Sequence, residues 1–453
     1  MAQLVNQFGN DNIRPTSKND RTMGFFSTFA LWLAANVVIT SVLTGMFFVP
    51  DLPWSTAIWV IIIGSAIGAI PLALTGRIGT RTGLSTMVMT RAAFGQRGAI
   101  LPSIVNTVVL IGWSWIQAYL AGLSLNYAVS FATGYSNIPL FVILTQFLVV
   151  GITIYGHRKV EGLEKIVSIG MLLLSTVVFF QLFTRYEIGS LITIQVAQNP
   201  EISAIIAFDI VVATAFSWMS SVCDFNRYAK SETKAMAGTY LGYILASLIA
   251  MGLGATVSGF SILAGMEQTY DPTLLLAQYG FGFVAAVVVF LSVVSTNVMA
   301  LYSASMSFMN VFSKVSFWKP VAAIGVITIL GALLQEALMA SFFDFILLIA
   351  TLFIPIFAIV LVDFFIIKKG NYDADDIVED TKGLYRYQNG INISAYIAYV
   401  LGAAFAYVFT YVAPLSIGSS ILTFFVSGII YWAAMKLSNQ IPEQPDLTKK
   451  EVS

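Results

Sequence analysis

The stretch WSTAIWVIIIGSAIGAIPLALTG, residues 54–76, contains no charged side chain and is followed at once by a basic connection. A helix needs about 20 mostly apolar residues to cross the hydrocarbon core of a bilayer, and this stretch is long enough. The connection that follows it carries Arg77, Arg81, Arg91 and Arg97. An apolar run that ends in arginines is typical of a membrane helix whose end reaches the cytoplasm.

The rest of the chain repeats this pattern. Its 453 residues are 58% hydrophobic and 10% charged, and a soluble domain would leave much of that apolar surface in water. About twelve runs are long enough to cross a bilayer, which predicts an all-α polytopic protein with about 12 transmembrane helices. We number these runs span one to span twelve, at 24–49, 54–76, 100–130, 138–156, 162–184, 203–226, 236–264, 279–312, 320–338, 342–367, 393–412 and 416–436.

The positive charges fall on one side of this predicted topology. Of the 23 Lys and Arg residues, only Arg185 lies on the opposite side. The positive-inside rule assigns the basic side to the cytoplasm, so we expect both termini there, in a multi-pass protein of the cell (inner or plasma) membrane. The predicted parts are a cytoplasmic segment at 1–23, a transmembrane domain at 24–436 and a cytoplasmic tail at 437–453.

Several classes of function are excluded by what the sequence lacks. A net charge of zero gives no indication of nucleic acid as a partner, and the single Cys223 excludes an intrachain disulfide. The one histidine, His157, cannot form the usual zinc site, and GRIGTRTG at 76–83 lacks the lysine of a phosphate-binding loop. We therefore expect no enzyme and no cofactor other than a coupling ion.

Acids inside membrane spans are functional candidates because an unpaired charge there is costly. Asp209 and Asp344 lie near the outer ends of spans six and ten, with either a structural hydrogen-bonded role or a gating or proton role. At the inner end of span six, Asp224 is expected to pair with Arg227. An enzyme within the membrane would need ionisable groups at mid-depth, and these assignments leave none there.

Polar side chains at mid-depth indicate where a substrate or ion binds. Four spans carry them half-way along, at Asn36 in span one, Trp113 and Gln117 in span three, Thr214–Ser221 in span six and Ser292–Asn297 in span eight. Trp113 and Gln117 are four residues apart and share a helix face, which suits stacking on a flat ring and bonding to its edge. The alternative is that Trp113 packs in the core and Gln117 joins helices. The hydroxyls of Ser295 and Thr296 suit a small hard cation or, alternatively, bonds to the preceding turn.

Four motifs carry a resemblance to a known family. They are GRIGTRTGLSTMVMTRAAFG at 76–95, W-x-x-x-Q at 113–117, DFNRYAK at 224–230 and STN at 295–297. With them, the chain from about Asn19 to Lys436 resembles the nucleobase–cation symporter-1 family of purine, cytosine, allantoin and hydantoin permeases. The resemblance implies two five-helix inverted repeats, at about 24–184 and 203–367, followed by two C-terminal helices within 393–436. It also implies binding near the midplane, at breaks in spans one and six.

The resemblance also implies roles for individual residues. The substrate ring would lie between Trp113 and an aromatic of span six, either Phe216 or Trp218, with Gln117 and Asn297 at its edges. A sodium site would be formed by span-one carbonyls and span-eight hydroxyls, at Leu33, Asn36, Ser292, Ser295 and Thr296.

The chain departs from the family pattern at two positions. Ala215 occupies the place of the family's span-six aromatic, one residue before Phe216. Leu301 replaces a second span-eight asparagine of hydantoin-type members, which disfavours hydantoin itself.

Together these features predict a secondary active symporter that imports a nucleobase or a related planar nitrogen heterocycle with Na⁺ or H⁺ by alternating access. The alternative within transport is a proton-coupled permease for a vitamin precursor such as hydroxymethylpyrimidine. The alternative in another class is a non-transporting receptor or channel, but a channel would line a continuous polar path. The expected partners are a small heterocycle and the lipid bilayer, with the chain as a monomer. The sequence leaves open which heterocycle and which ion.

Overall fold

The computed structural model describes residues 11–185, 187–265, 282–334, 342–415 and 418–438. Within these ranges the secondary structure is helical apart from two isolated β-bridges, Met23 with Ala229 and Gln388 with Ile391. Residues 1–10 of the predicted N-terminal segment and 439–453 of the predicted tail lie outside the described residues.

The helices follow the order of the predicted spans. Those up to residue 192 are α1 Phe25–Asn36, α2 Ile39–Phe48, α3 Trp54–Thr82, α4 Thr86–Phe94, α5 Ile100–Thr133, α6 Ile138–Thr153, α7 His157–Arg185 and α8 Ile188–Ile192. The next are α9 Ala204–Trp218, α10 Val222–Asn226, α11 Glu232–Leu263, α12 Gly282–Val311, α13 Trp318–Ala332 and α14 Phe342–Val362. The last are α15 Ala374–Glu379, α16 Ile393–Tyr407 and α17 Ser420–Leu437.

Eight of the described helical segments are long and apolar enough to cross a membrane, and the bent pair α1–α2 makes a ninth. Three shorter apolar helices, α6, α9 and α13, coincide with predicted spans four, six and nine. The multi-pass helical architecture is therefore confirmed, while the count of twelve complete crossings stays a prediction.

Two of the spans are broken at mid-length. Helices α1 and α2 are bent by 57° at Val37 and Val38, and Val38 is extended, with φ −126° and ψ 158°. In span six, α9 ends at Trp218 and α10 begins at Val222. Neither break contains Gly or Pro, so tertiary contacts rather than local breaker residues stabilise them. The breaks lie in the first helix of each predicted repeat, where the family resemblance implies them.

Helices that the predicted repeats make equivalent pack directly on one another. The most extensive contact is between α5 (span three) and α12 (span eight), and α3 (span two) lies along α11 (span seven). Span one also packs closely on α11. A Cβ added at Gly45 would overlap the backbone of Met251, and a Cβ added at Gly254 would overlap the backbone of Val42. Small residues allow this close approach, as is usual between membrane helices.

Residues 11–23 join two connections at one end of the bundle. The backbone N–H of Thr16 donates to the carbonyl of Gly83 at 2.9 Å, and Met23 exchanges hydrogen bonds with Tyr228 and Lys230 at 3.0 and 2.9 Å. The segment is thus attached both to the connection after span two and to the connection after span six.

Arg227 anchors the same end. Its side chain is 2% exposed, forms an ion pair with Asp11 at 3.6 Å and donates to the carbonyl of Asn12 and the hydroxyl of Tyr302. Arg227 and Asp224, both among the described residues, form no direct ion pair, although they are close enough to attract each other electrostatically. The carboxylate of Asp224 accepts the backbone N–H of Thr86 at 2.8 Å, in the first turn of α4, where helix N–H groups lack intrahelical partners.

Candidate substrate and ion site

A cavity of about 570 Å³, counting the part open to its surroundings, lies where the two broken spans meet spans three and eight. The side chains that line it combine indoles, amides and small hydroxyls, among them Asn36, Trp113, Gln117, Ser217, Trp218 and Thr296. Each of the four predicted polar clusters therefore contributes to one cavity, as the mid-depth argument requires.

Trp113 and Gln117 line this cavity from the same face of α5, so the predicted shared face is confirmed. The indole of Trp113 contacts Phe345 edge to face, with ring centroids 5.5 Å apart and planes at 71°. Gln117 is 4% exposed, and its Oε1 has no hydrogen-bond partner among the residues that the structure describes. A buried acceptor without a partner favours a ligand that brings an N–H donor. Contact with substrate stays a prediction.

Asn36 connects the two helix breaks. Its Oδ1 accepts hydrogen bonds from the indole of Trp218 and the hydroxyl of Ser41, both at 3.2 Å, and its Nδ2 donates to Ser247 at 2.8 Å. The side chain therefore holds the end of α1 against spans six and seven. Trp218 is further fixed by Trp32, edge to face at 5.8 Å and 87°.

The two span-six aromatics lie in different places. Trp218 lines the cavity, whereas Phe216 is buried behind the lining and stacks on Phe424 of α17, with centroids 5.7 Å apart. Ala215 faces Gly68 of span two so closely that a Cβ on Gly68 would lie 2.7 Å from it. An aromatic ring has no room there, which explains the departure from the family pattern.

Asn297 does not line the cavity in this structure. Its Oδ1 accepts from Ser114 at 2.6 Å and its Nδ2 donates to Gln146 at 2.9 Å. Gln146 donates in turn to Ser114 at 3.0 Å and Thr328 at 2.6 Å. This network joins spans three, four, eight and nine and satisfies the amide of Asn297. A role for Asn297 at a substrate edge stays a prediction.

The predicted sodium residues lie where span one breaks against span eight. Ser292 donates to the carbonyl of Val37 at 3.1 Å, while the carbonyl of Leu33 accepts from the N–H of Val37 at 2.9 Å. Thr296 bonds back to the carbonyl of Ser292 at 3.1 Å, the alternative that its sequence context left open. The hydroxyl of Ser295 has no hydrogen-bond partner in the described part of the chain. Coordination of an ion stays a prediction.

Sequence reasoning missed one residue next to this region. Glu164 lies within the spanning part of α7, at Gly162–Thr184, and is 0% exposed. Only Asp209 and Asp344 were named from the sequence as acids within spans, and that selection was incomplete. The signal was present in the sequence, because Val167 and Met171 follow Glu164 at helical spacing and mark the buried face.

The two acids that the sequence does single out lie elsewhere. The carboxylate of Asp209 accepts the backbone N–H groups of Ser419 and Ser420 at 3.2 and 2.9 Å, where α17 begins. This capping contact matches the structural alternative for Asp209. Asp344 is exposed, and its carbonyl accepts from Tyr411. Within the described ranges, no group of three or more His, Cys, Asp or Glu side chains forms a metal cluster.

Comparisons with known proteins agree with this architecture. YxlA of Bacillus subtilis, provisionally named a purine-cytosine permease, is 28% identical over 90% of this chain and 92% of its own. The hydantoin permease of Microbacterium maritypicum is 24% identical over 88% of this chain and 84% of its own. Mhp1, a nucleobase-cation-symport-1 family transporter, solved in a closed conformation with bromovinylhydantoin bound, has the same fold. It matches with a TM-score of 0.84 and 22% identity, over 96% of this chain and 97% of that chain.

The sequence profile of one family covers almost the whole chain. The family is described as permeases for cytosine/purines, uracil, thiamine and allantoin, and it matches residues 15–433. The protein is thus a multi-pass membrane transporter, and the chain belongs to this family of permeases.

Proposed function

We propose that this permease is a secondary active symporter that imports a nucleobase or a related planar nitrogen heterocycle across the cell membrane, driven by a cation gradient. The observation that carries the proposal is the cavity at the two helix breaks, lined by two indoles and an amide with an unpaired acceptor. Small-molecule sites are usually lined by aromatic side chains with a few placed polar groups, and the lining of this cavity fits that description.

Recognition would use the flat ring and the N–H edge of such a ligand. Trp113 and Trp218 offer indole faces for stacking, and of the two span-six candidates only Trp218 is part of the described cavity lining. Gln117 would accept a ring N–H. Asn297 follows Thr296, which lines the cavity, so opening of its hydrogen-bond network would add a second amide at the substrate edge.

Coupling would act through the broken spans. The free ends of α1 and α9 lie at the cavity, and helix ends at such breaks are where transporters of this architecture hold ions and substrates. An ion between Leu33, Asn36, Ser292, Ser295 and Thr296 would tie span one to span eight. Ion and substrate would then favour the same arrangement of the repeats and strengthen each other's binding by the same factor.

The test is uptake into proteoliposomes that contain the purified protein. The panel is labelled cytosine, uracil, hypoxanthine, allantoin, hydantoin and hydroxymethylpyrimidine, each with a sodium gradient, a pH gradient or neither. We expect gradient-driven accumulation of at least one of them, and loss of high-affinity uptake in Trp113→Ala. Trp59→Ala is the matched control, because Trp59 is 63% exposed on the outer surface of span two and does not line the cavity. Absence of accumulation for every compound, or equal effects of the two Trp variants, would refute the proposal.

A further inference from the structure

Glu164 is a buried acid that the proposed substrate site does not use. Its side chain is 0% exposed, and neither carboxylate oxygen has a hydrogen-bond partner among the described residues. An isolated carboxylate in an apolar interior is costly, so such groups are normally paired with a charge or hold a metal ion. The groups around Glu164 therefore indicate what could balance the charge of its carboxylate.

Glu164 lies on the face of α7 that packs against the break in span one. Val167 and Met171, on the same face of α7, pack against Leu33 and Val37 of span one. Across this junction, the carboxyl group of Glu164 faces the hydroxyl of Ser295 on span eight. Ser295 Oγ also has no hydrogen-bond partner of standard geometry among the residues that are described. The carboxyl group and the hydroxyl therefore face each other between spans five and eight without a hydrogen bond of standard geometry.

The end of α1 supplies further oxygen acceptors to the same junction. Helix α1 stops at Asn36, so its last carbonyls lie at the negative end of the helix dipole. In the described chain, the carbonyls of Ala34, Ala35 and Asn36 accept no backbone hydrogen bond from the residues that follow the break. Helix α7 packs on both α1 and α12, so three spans meet there.

We propose that Glu164 is a ligand of the coupling cation, and that its carboxylate and the Ser295 hydroxyl, with carbonyls at the end of α1, form a site for a monovalent hard cation such as Na⁺. The inference deepens the proposed symport function by naming the charged group of its ion site. Carboxylate, hydroxyl and carbonyl oxygens suit a hard cation, and a bound Na⁺ cancels the charge of Glu164. One carboxylate favours a monovalent ion, since protein sites for Ca²⁺ usually combine several carboxylates and carbonyls.

Such a site has a consequence for coupling. Without the cation, Glu164 must either carry an uncompensated charge or take up a proton, and neither state ties span five to the break in span one. With the cation bound, spans one, five and eight share one ion, and the broken helix is held in place beside the cavity. The cation thus favours the conformation in which Asn36, Trp218 and Thr296 line that cavity.

The experiment measures cation binding directly, without any heterocycle. The full-length protein is purified in detergent, and its thermal unfolding midpoint is followed through a sodium series, with choline keeping the ionic strength constant. A cation that binds only the folded state raises this midpoint. Glu164→Gln removes the charge at equal size, Glu164→Asp keeps the charge on a shorter side chain, and Asp344→Asn is the control that removes an exposed acid.

We expect sodium to stabilise the wild type and Asp344→Asn equally. In Glu164→Gln the half-effective sodium concentration rises about tenfold or more, the loss typical of a charge-assisted ligand, and Glu164→Asp gives a smaller rise. Ser295→Ala provides a second readout if Glu164→Gln does not fold, and it also raises the half-effective concentration.

Three results would overturn the inference. The first is an unchanged half-effective sodium concentration in Glu164→Gln, and the second is an equal effect of sodium and choline on the unfolding midpoint of the wild type. The third is a midpoint that rises when the pH is lowered but does not respond to sodium. Heterocycle binding is measured on the same preparation by equilibrium dialysis. A protein that responds to sodium through Glu164 but binds no heterocycle counts against the proposed function alone, and a protein that binds heterocycles without a sodium response counts against this inference alone.

Discussion

Replacing Gln117 by Met tests whether this side chain binds the substrate or only joins helices. The two side chains are similar in length, but the thioether is only a weak acceptor. In the free protein, Oε1 of Gln117 is buried and unpaired within the described structure. Removing it therefore costs no hydrogen bond before ligand binds, and we expect the melting temperature to stay the same or to rise.

The effect on binding has the opposite sign. A ligand N–H that reaches Oε1 would be left unpaired in Gln117→Met, at a cost of about 1–3 kcal/mol. That corresponds to a loss of affinity of about 5- to 150-fold. The assay is isothermal titration calorimetry or equilibrium dialysis with the best substrate of the uptake panel and with its ring-N-methylated analogues. One of these analogues, lacking the N–H, should bind wild type and Gln117→Met equally.

Two outcomes would refute this reasoning. If Gln117→Met lowers the melting temperature and leaves affinity unchanged, the amide only joins helices. If the variant loses affinity equally for the substrate and for every methylated analogue, Gln117 does not accept a ring N–H.

Three further changes test the neighbouring residues. Trp113→Ala should weaken substrate binding by about 1–3 kcal/mol, as for loss of base–aromatic stacking, while Trp113→Phe should keep most of the affinity. Equal affinity in the wild type and both variants would exclude stacking. Asn297→Asp replaces the amide donor that bonds to Gln146 and should change which heterocycles compete for uptake, so a competition profile identical to wild type contradicts a role in selection. Thr296→Ala should reduce the sodium dependence of substrate affinity more than the affinity at saturating sodium, measured across a sodium series; equal reductions would place Thr296 in substrate binding instead.

Much of the fold follows from sequence, because hydrophobic length and the position of charges respond to one strong constraint, the bilayer. The face shared by Trp113 and Gln117 could also be predicted from the sequence, since helical spacing alone decides it. The bend at Val37 and Val38 could not be predicted, because neither residue is a helix breaker. It depends on packing against α11 and on the bonds of Asn36, which join residues more than 180 positions apart.

The contacts of individual site residues could not be predicted from the sequence for the same reason. Nothing near Asn297 in the sequence indicates that Gln146, in span four, satisfies its amide. Nothing near Phe216 predicts its stacking on Phe424, in the last helix. Glu164 shows a different limit, since it lies close to the basic loop at the start of span five, where an acid is ordinarily solvated. Only the placement of α7 against spans one and eight makes it a buried group.

The attachment of residues 11–23 at two points has a mechanical consequence. This segment is bonded to Gly83, after span two, and to Tyr228 and Lys230, after span six, while Asp11 pairs with the buried Arg227. Any widening of this end of the bundle that separates those two connections must first release the segment from one of them. We therefore expect the segment before the first helix to resist separation of these two connections, and its removal to ease that separation without removing any residue that lines the cavity.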